Sequence, residues 1–253
     1  MRKITLISFI TMTTFAVVAQ EDTATVSTDT KDFTLDGELG LIFTTGNTET
    51  SSFKGRLSSS HELKSWSNEY MVEALYRQDE STNEDGEDET QTSAQKWFGS
   101  AQANYKLDNP DNRLFGFASY EDDRFSGFDF QATIAGGWNS KLWDDDTSTL
   151  SYSVGPGYSF AETADGEDVS SVIFRAASDY RWKLSETATF KQIMSTEIGS
   201  ENTKSRSETS LSAQINGSMS LKVSLILNHN SDVEEGTENL DTETAATLVY
   251  TFF

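Results

Sequence analysis

The segment Asp241 to Phe253, DTETAATLVYTFF, decides the fold. It alternates small or apolar residues with polar ones, sets Tyr250 and Phe252 two apart, and stops on an aromatic. A period of two puts successive side chains on opposite faces of a strand. An amphipathic closing strand of this kind is how transmembrane barrels of the outer membrane end.

The same period runs back through the chain. Phe33, Leu35, Gly37, Leu39, Leu41 and Phe43 share one face, with Asp36 and Glu38 on the other. Phe53, Gly55 and Leu57 oppose Lys54 and Arg56; Tyr70, Val72, Ala74 and Tyr76 oppose Glu73 and Arg77. Trp97, Ala101, Ala103 and Tyr105 oppose Lys96, Gln102, Asn104 and Lys106. Val172, Phe174, Ala176, Tyr180 and Trp182 oppose Arg175, Asp179, Arg181 and Lys183. Phe128 to Trp138, Leu150 to Phe160, and the later runs led by Phe190, Leu211 and Leu221 behave alike. A helix would need apolar residues at i, i+3 and i+4, which these runs lack. The pattern predicts an all-β fold, an antiparallel up-and-down transmembrane β-barrel of about 12 strands. Residues 112–123 depart from it: Phe115 and Phe117 point opposite to Leu114 and Tyr120, which a bulge or an aromatic in the lumen would explain.

Composition agrees with one barrel. The chain has 253 residues, a formal net charge of −22 and no cysteine. The charge argues against nucleic acid as a partner, because phosphates are repelled. Lack of cysteine excludes disulfides and thiolate metal sites, and two histidines, His61 and His229, give little for a His-based metal centre. No cofactor is expected. A hydrophobic content of 36% is low for a helical membrane protein but suits a barrel, where every second strand residue faces lipid.

Residues 1–19 read as a signal peptide. Arg2 and Lys3 precede the apolar run Ile4 to Val18, and Val17-Val18-Ala19 suits cleavage after Ala19. Residues 20–32 form an acidic, mobile lead-in, and 33–253 the barrel.

The connectors fall into two alternating classes. One is brief: 64–66, 108–111, 141–147, 185–186 and 216–217. The other is mostly longer and acidic: 79–92, 161–170, 199–206 and 230–240, with shorter members near Gly46 and Ser126. Such asymmetry places both termini on the periplasmic side. Trp66, Trp138, Trp143, Trp182, Tyr105, Tyr180 and Tyr250 fall at the brief-turn ends; Trp97, Tyr76, Tyr120, Phe128 and Phe160 fall at the other. Two aromatic girdles are expected of a lipid-embedded barrel. A soluble, lipocalin-like barrel would instead turn its apolar residues inward.

Several groups are candidates for function. The lumen-facing set is Asp36, Glu38, Lys54, Arg56, Glu73, Arg77, Arg175, Asp179, Arg181 and Lys183. Mixed signs on neighbouring strands predict ion pairs that fill a narrow barrel; the alternative is a narrow channel for small solutes, tuned by charge rings. The stretch 79–91 carries seven acids and no base, a solvated surface unless carboxylates gather a divalent cation or bridge to lipopolysaccharide; Asp85-Gly86 lacks a calcium-loop pattern. His229, in Asn228-His229-Asn230-Ser231, could serve a lipid-active enzyme, yet it continues the outward set Leu221 to Leu227 and no serine with nucleophile context is evident. His61 also falls on an outward position. Gly46-Asn47 suits a tight hairpin connection, and Gly155-Pro156-Gly157 a barrel corner or close packing site.

The order of short motifs resembles a known family. Gly37-Glu38-Leu39-Gly40, then Thr45-Gly46-Asn47-Thr48-Glu49-Thr50, resembles the opening of the salt-induced outer-membrane protein family, whose function is unknown. Tyr120-Glu121-Asp122-Asp123-Arg124-Phe125, Ala135-Gly136-Gly137, Gly155-Pro156-Gly157-Tyr158, Asp179-Tyr180-Arg181-Trp182 and the closing Asp241-Thr242 to Thr251-Phe252 follow in order. Phe253 is an extra residue after the usual terminal phenylalanine. The resemblance implies an outer-membrane barrel and transfers no catalytic residues. The expectation is therefore a monomeric, non-enzymatic barrel in the cell outer membrane, structural or envelope-related. Its partners would be membrane lipid, lipopolysaccharide and, through the closing strand, the barrel-assembly machinery.

Overall fold

The computed structural model describes residues 32–44, 49–82, 88–124, 126–233 and 239–253. The signal peptide 1–19, most of the lead-in 20–32, Gly46-Asn47, Phe125 and the stretches 83–87 and 234–238 lie outside the described residues. Twelve strands follow in order. They are β1 (Phe33–Thr44), β2 (Glu49–Glu62), β3 (Trp66–Thr82), β4 (Asp88–Lys106), β5 (Asn112–Asp123) and β6 (Phe128–Asp144), then β7 (Ser148–Thr163), β8 (Ser171–Lys183), β9 (Ala188–Gly199), β10 (Thr203–Gln214), β11 (Met219–Asn230) and β12 (Leu240–Thr251). Each pairs antiparallel with its sequence neighbours, and β1 meets β12 to close the barrel.

The barrel is apolar outside and polar inside. Trp97, Val172, Ile134, Leu57 and Met194 are more than half exposed, while Lys54, Arg56, Glu73, Asn104 and Thr247 are buried. A soluble barrel is the reverse, so the lipocalin-like alternative falls. Exposed apolar rows suit hydrocarbon, and closure leaves no unpaired edge to be desolvated there. The rings of Trp66, Trp138, Trp143, Trp182, Tyr105 and Tyr250 are exposed at the turn end and those of Tyr76, Trp97, Tyr120 and Phe160 at the other.

Several expectations need correction. The acidic connectors are shorter than the sequence suggests: 200–202 joins β9 to β10, where 199–206 was expected, and β3 and β4 continue through much of 79–92 as a paired ladder (Glu80↔Thr90, Thr82↔Asp88). Two-sided polarity does not end a strand whose backbone partner is still present. The remaining connectors at that end are 45–48, 124–127, 164–170 and 231–239, so connector length alone separates the ends poorly. Phe128 is not in the aromatic girdle. A register shift between Phe128 and Phe130 advances the alternation by one residue and buries Phe128, which is 4% exposed. In β5, both explanations operate: Phe115 is buried inside the barrel, and the β5–β6 register shifts between Glu121 and Asp123.

Two seams differ from the rest. At β6–β7 a Cβ on Gly155 would stand 2.2 Å from the Gly136 carbonyl oxygen, and one on Gly137 2.2 Å from that of Val154. These glycines let two backbones close in beside Pro156, which has no N–H for the ladder. The β1–β12 seam has four residue pairs, Asp36↔Thr251 to Leu39↔Leu248, against twelve for β1–β2.

Candidate functional site

Register places opposite charges in rows across the inner wall. Glu38, Arg56 and Glu73 stand directly opposite one another on β1, β2 and β3. Cross-strand neighbours of opposite sign attract, and here they do so away from water. Arg56 Nε donates to Glu73 at 2.7 Å, while its two terminal nitrogens fork onto Glu208 of β10 at 2.7 and 2.9 Å. Lys222 of β11 donates to both oxygens of Glu38, at 3.0 and 3.1 Å, and to Glu208 at 3.1 Å. Lys54 bonds Glu243 of β12 and lies 3.6 Å from Glu73. Arg206 approaches Glu208 at 3.3 Å and Glu73 at 3.9 Å. Four cations, Lys54, Arg56, Arg206 and Lys222, thus meet four anions, Glu38, Glu73, Glu208 and Glu243.

A second cluster lies nearer the acidic connectors. Lys96 pairs with Glu121 at 2.7 Å and Asp123 at 3.3 Å, and Lys204 reaches Glu121 at 2.9 Å. In a third, Arg175 bonds Glu197 at 3.3 Å, and Thr133 donates to the same carboxylate at 2.8 Å. The Arg175 guanidinium lies 3.8 Å above the Phe117 ring, and its buried Nη1 has no hydrogen-bond partner. The ring's negative face compensates part of that loss.

These contacts cross the lumen. In the ring of twelve strands β10 stands five positions from both β3 and β5, and opposite β4. Yet β10 supplies Arg206 to Glu73, Lys204 to Glu121, and the Arg206 guanidinium 5.8 Å from the centre of the Phe98 ring on β4. Side chains from opposing walls therefore meet inside the barrel.

The candidates from sequence divide accordingly. Glu38, Lys54, Arg56 and Glu73 share the large cluster, and Arg175 belongs to the third. Asp36 accepts a hydrogen bond from Thr251 at 2.6 Å near the turn end. Asp179 pairs with Lys191 at 3.0 Å, with both half-exposed. Arg77, Arg181 and Lys183 are exposed at the two mouths, because their strands run past the filled section. Glu121 and Asp123 of the mid-chain motif both enter the second cluster. Sequence reading missed Glu208, Lys222, Glu243, Glu197, Lys204 and Arg206. Their signal was present, since Lys222 alternates with Leu221 and Val223 as Lys54 does with Phe53 and Gly55.

His229 is exposed and continues the outward row of β11. Sequence reading saw no serine suited to it; the register sets Ser205 directly opposite. The Ser205 hydroxyl bonds Thr196 at 2.9 Å. His61 packs edge-on against Phe33 at 5.8 Å. Among the described residues no group of three or more His, Cys, Asp or Glu is arranged to hold a metal ion.

Comparison with known proteins places this architecture. The chain is 26% identical over 212 residues to the uncharacterized protein YdiY of Escherichia coli (strain K12), covering 83% of this chain and 80% of the relative. Its fold matches the NanC porin with a TM-score of 0.51, at 10% identity over 87% of this chain and all of that one. An outer membrane channel from Pseudomonas putida F1 gives 0.48, at 9% identity over 87% and 94%. A twelve-stranded barrel of this fold, apolar outside and polar within, is an integral outer-membrane protein. Residues 37–252 match the model of a family described as a protein of unknown function, DUF481, and the chain belongs to that family.

Proposed function

We propose that this protein is a non-enzymatic component of the outer membrane whose lumen is closed by its own ion pairs. One observation carries the reading: charged side chains from β10 reach β3, β4 and β5 across the barrel. Pairing of four cations with four anions leaves little net charge to draw an ion through. Engagement of the Ser205 hydroxyl, opposite His229, by Thr196 supports the non-enzymatic part. One chain completes the barrel, so no second chain is needed to close it. In planar bilayers the refolded protein is expected to give small or no conductance steps. Large, stable, porin-like steps would overturn the closed reading.

A narrow passage for small solutes is the second reading. The inner row of β7 favours it, since Ser151, Ser153, Gly155, Gly157 and Ser159 include no side chain larger than serine's. Small, ion-selective steps in the unaltered protein, enlarged by Glu208→Gln, would select it.

The surroundings complete the proposal. Residues 1–19 act as the export signal, 20–32 as an acidic lead-in, and the turn end with both termini faces the periplasm. Membrane lipid and lipopolysaccharide surround the barrel. The assembly machinery reads the closing strand at Phe252, whose ring stacks edge-on with Tyr250 at 4.8 Å and whose N–H donates to Leu35 at 2.8 Å. Deleting Tyr250 to Phe253 is expected to remove the heat-modifiable barrel from outer-membrane fractions. The family resemblance adds adaptation to salt, tested by growth of a deletion strain across sodium chloride concentrations.

A further inference from the structure

The outer wall of β8–β10 carries polar side chains at a depth where lipid offers them nothing. Register sets Ser178, Met194 and Ser207 opposite one another across the three strands. One step toward the turn end lie Tyr180, Gln192 and Thr209; one step the other way lie Ala176, Thr196 and Ser205. They face outward, because the alternate residues Glu208 and Ser210 are buried inside while Leu211 is 48% exposed on the same face.

The patch is bracketed by apolar residues. Phe174 and Ile198 lie on its loop side, and Trp182, Phe190 and Leu211 on its turn side. Phe174 to Trp182 is about 27 Å of strand at ~3.4 Å per residue, or about 20 Å along the membrane normal at a tilt near 40°. The apolar band of a barrel is about 25 Å tall, so the patch lies within hydrocarbon.

Its groups partly satisfy one another. Gln192 Nε2 donates to Ser207 at 3.0 Å, Thr209 donates to Gln192 Oε1 at 2.6 Å, and Thr196 and Ser205 share a bond of 2.9 Å. A hydroxyl has one donor and two acceptor positions, so capacity is left over that hydrocarbon cannot meet. Lipid head groups do not reach this depth, but the wall of another barrel does.

We infer that two complete barrels associate side by side through this face. Copies inserted in one direction are related only by rotation about the membrane normal, and a two-fold rotation brings the patch onto itself at equal depth. Hydroxyls and amides are both donors and acceptors, so the face complements its own copy, as a face of one charge would not. Ala176, Ser178, Ser205 and Ser207 are small enough for close approach of two walls, and Met194, 52% exposed, adapts to fill the gap. The inference is independent of whether the lumen is closed, and it departs from the expectation of a lone barrel.

The chain has no cysteine, so one substitution gives one thiol. Ser207→Cys places it inside the patch; Ala101→Cys places it on the outer face of β4, across the barrel. After oxidation of isolated outer membranes, non-reducing electrophoresis is expected to show several-fold more doubled-mass product for Ser207→Cys. Adding Gln192→Leu and Thr209→Val should lower that yield. Mass measurement of the cysteine-free protein in native lipid discs should show pairs. Equal yields at both positions, single barrels in the discs, or a Ser207→Cys product of another mass would each overturn the proposal.

Discussion

The two halves of the lumen are filled by different means. From β10 through β12 and β1 to β3, long charged side chains reach inward and neutralise one another. Along β5 to β7, away from the Glu121 and Asp123 ion pairs at one end of β5, rings and backbone fill much of the space: Phe115 and Phe117 point inward, and Gly137 and Gly155 bring β6 and β7 together. An extended arginine needs open space before it, and the glycine-lined wall leaves such space. The halves therefore differ in tolerance. A backbone contact admits no extra atom, whereas a network of flexible side chains can rearrange at a finite cost.

The largest expected effect tests the backbone half. Gly155→Val puts a branched side chain where even a Cβ would be 2.2 Å from a carbonyl oxygen. We expect no folded barrel, seen as loss of the heat-modifiable band; normal assembly would show that backbone approach does not build this half. Next comes Arg56→Ala, which leaves Glu73 and Glu208 facing each other with fewer cations. Removing one partner of a buried pair costs about 3–5 kcal/mol, read from urea unfolding in detergent. The double change Arg56→Met with Glu208→Met should cost less than Arg56→Ala, because Glu73 keeps Lys54. A larger loss in the double variant would mean that packing, not unpaired charge, sets the cost.

Smaller effects sharpen the contrast. Phe117→Leu removes the ring beneath Arg175 and should cost about 0.5–2 kcal/mol by the same measurement, the usual range for such a stack. The smallest belongs to the β6–β7 turn, outside the lumen. Hydrogen bonds from the Thr147 hydroxyl and from the backbone of Thr147 and Ser148 lower Asp145 to about 2. A carboxylate depressed in the folded state stabilises above its unfolded value, near 3.9, and loses that contribution as pH falls through about 2. The difference in unfolding midpoint between wild type and Asp145→Asn should thus be constant from pH 7 to 5 and vanish in strong acid. A difference independent of pH would rule out the carboxylate as its source.

Much of the barrel was legible because one rule governs it. A strand buried on one side in hydrocarbon and on the other in a polar lumen must alternate, and Phe33 to Phe43 or Leu221 to Leu227 show that without help. Positions where the rule is suspended were not legible. The shift at Phe128 moves a ring from girdle to interior, and nothing local in Gly127-Phe128-Asp129 announces it. Where paired strands are polar on both faces in sequence, as in Asp79 to Thr82, there is no pattern to read. The charge clusters were half legible. Alternation says that Glu208 and Lys222 face inward, but only register and barrel closure decide that Glu208 meets Arg56, 152 positions away in the chain.

The short seam between β1 and β12 bears on how the barrel is made. Every other pairing of the described strands joins sequence neighbours and can form as a local hairpin. The seam joins residues 215 positions apart, so it can form only when the last strand exists. It carries the largest loop-closure entropy in the molecule and the fewest backbone pairs to offset it. Bonds from Lys54 to Glu243 and from Lys222 to Glu38 span it from within. The interior charges thus latch the curved sheet into a cylinder across the pairing with the longest closure in the chain.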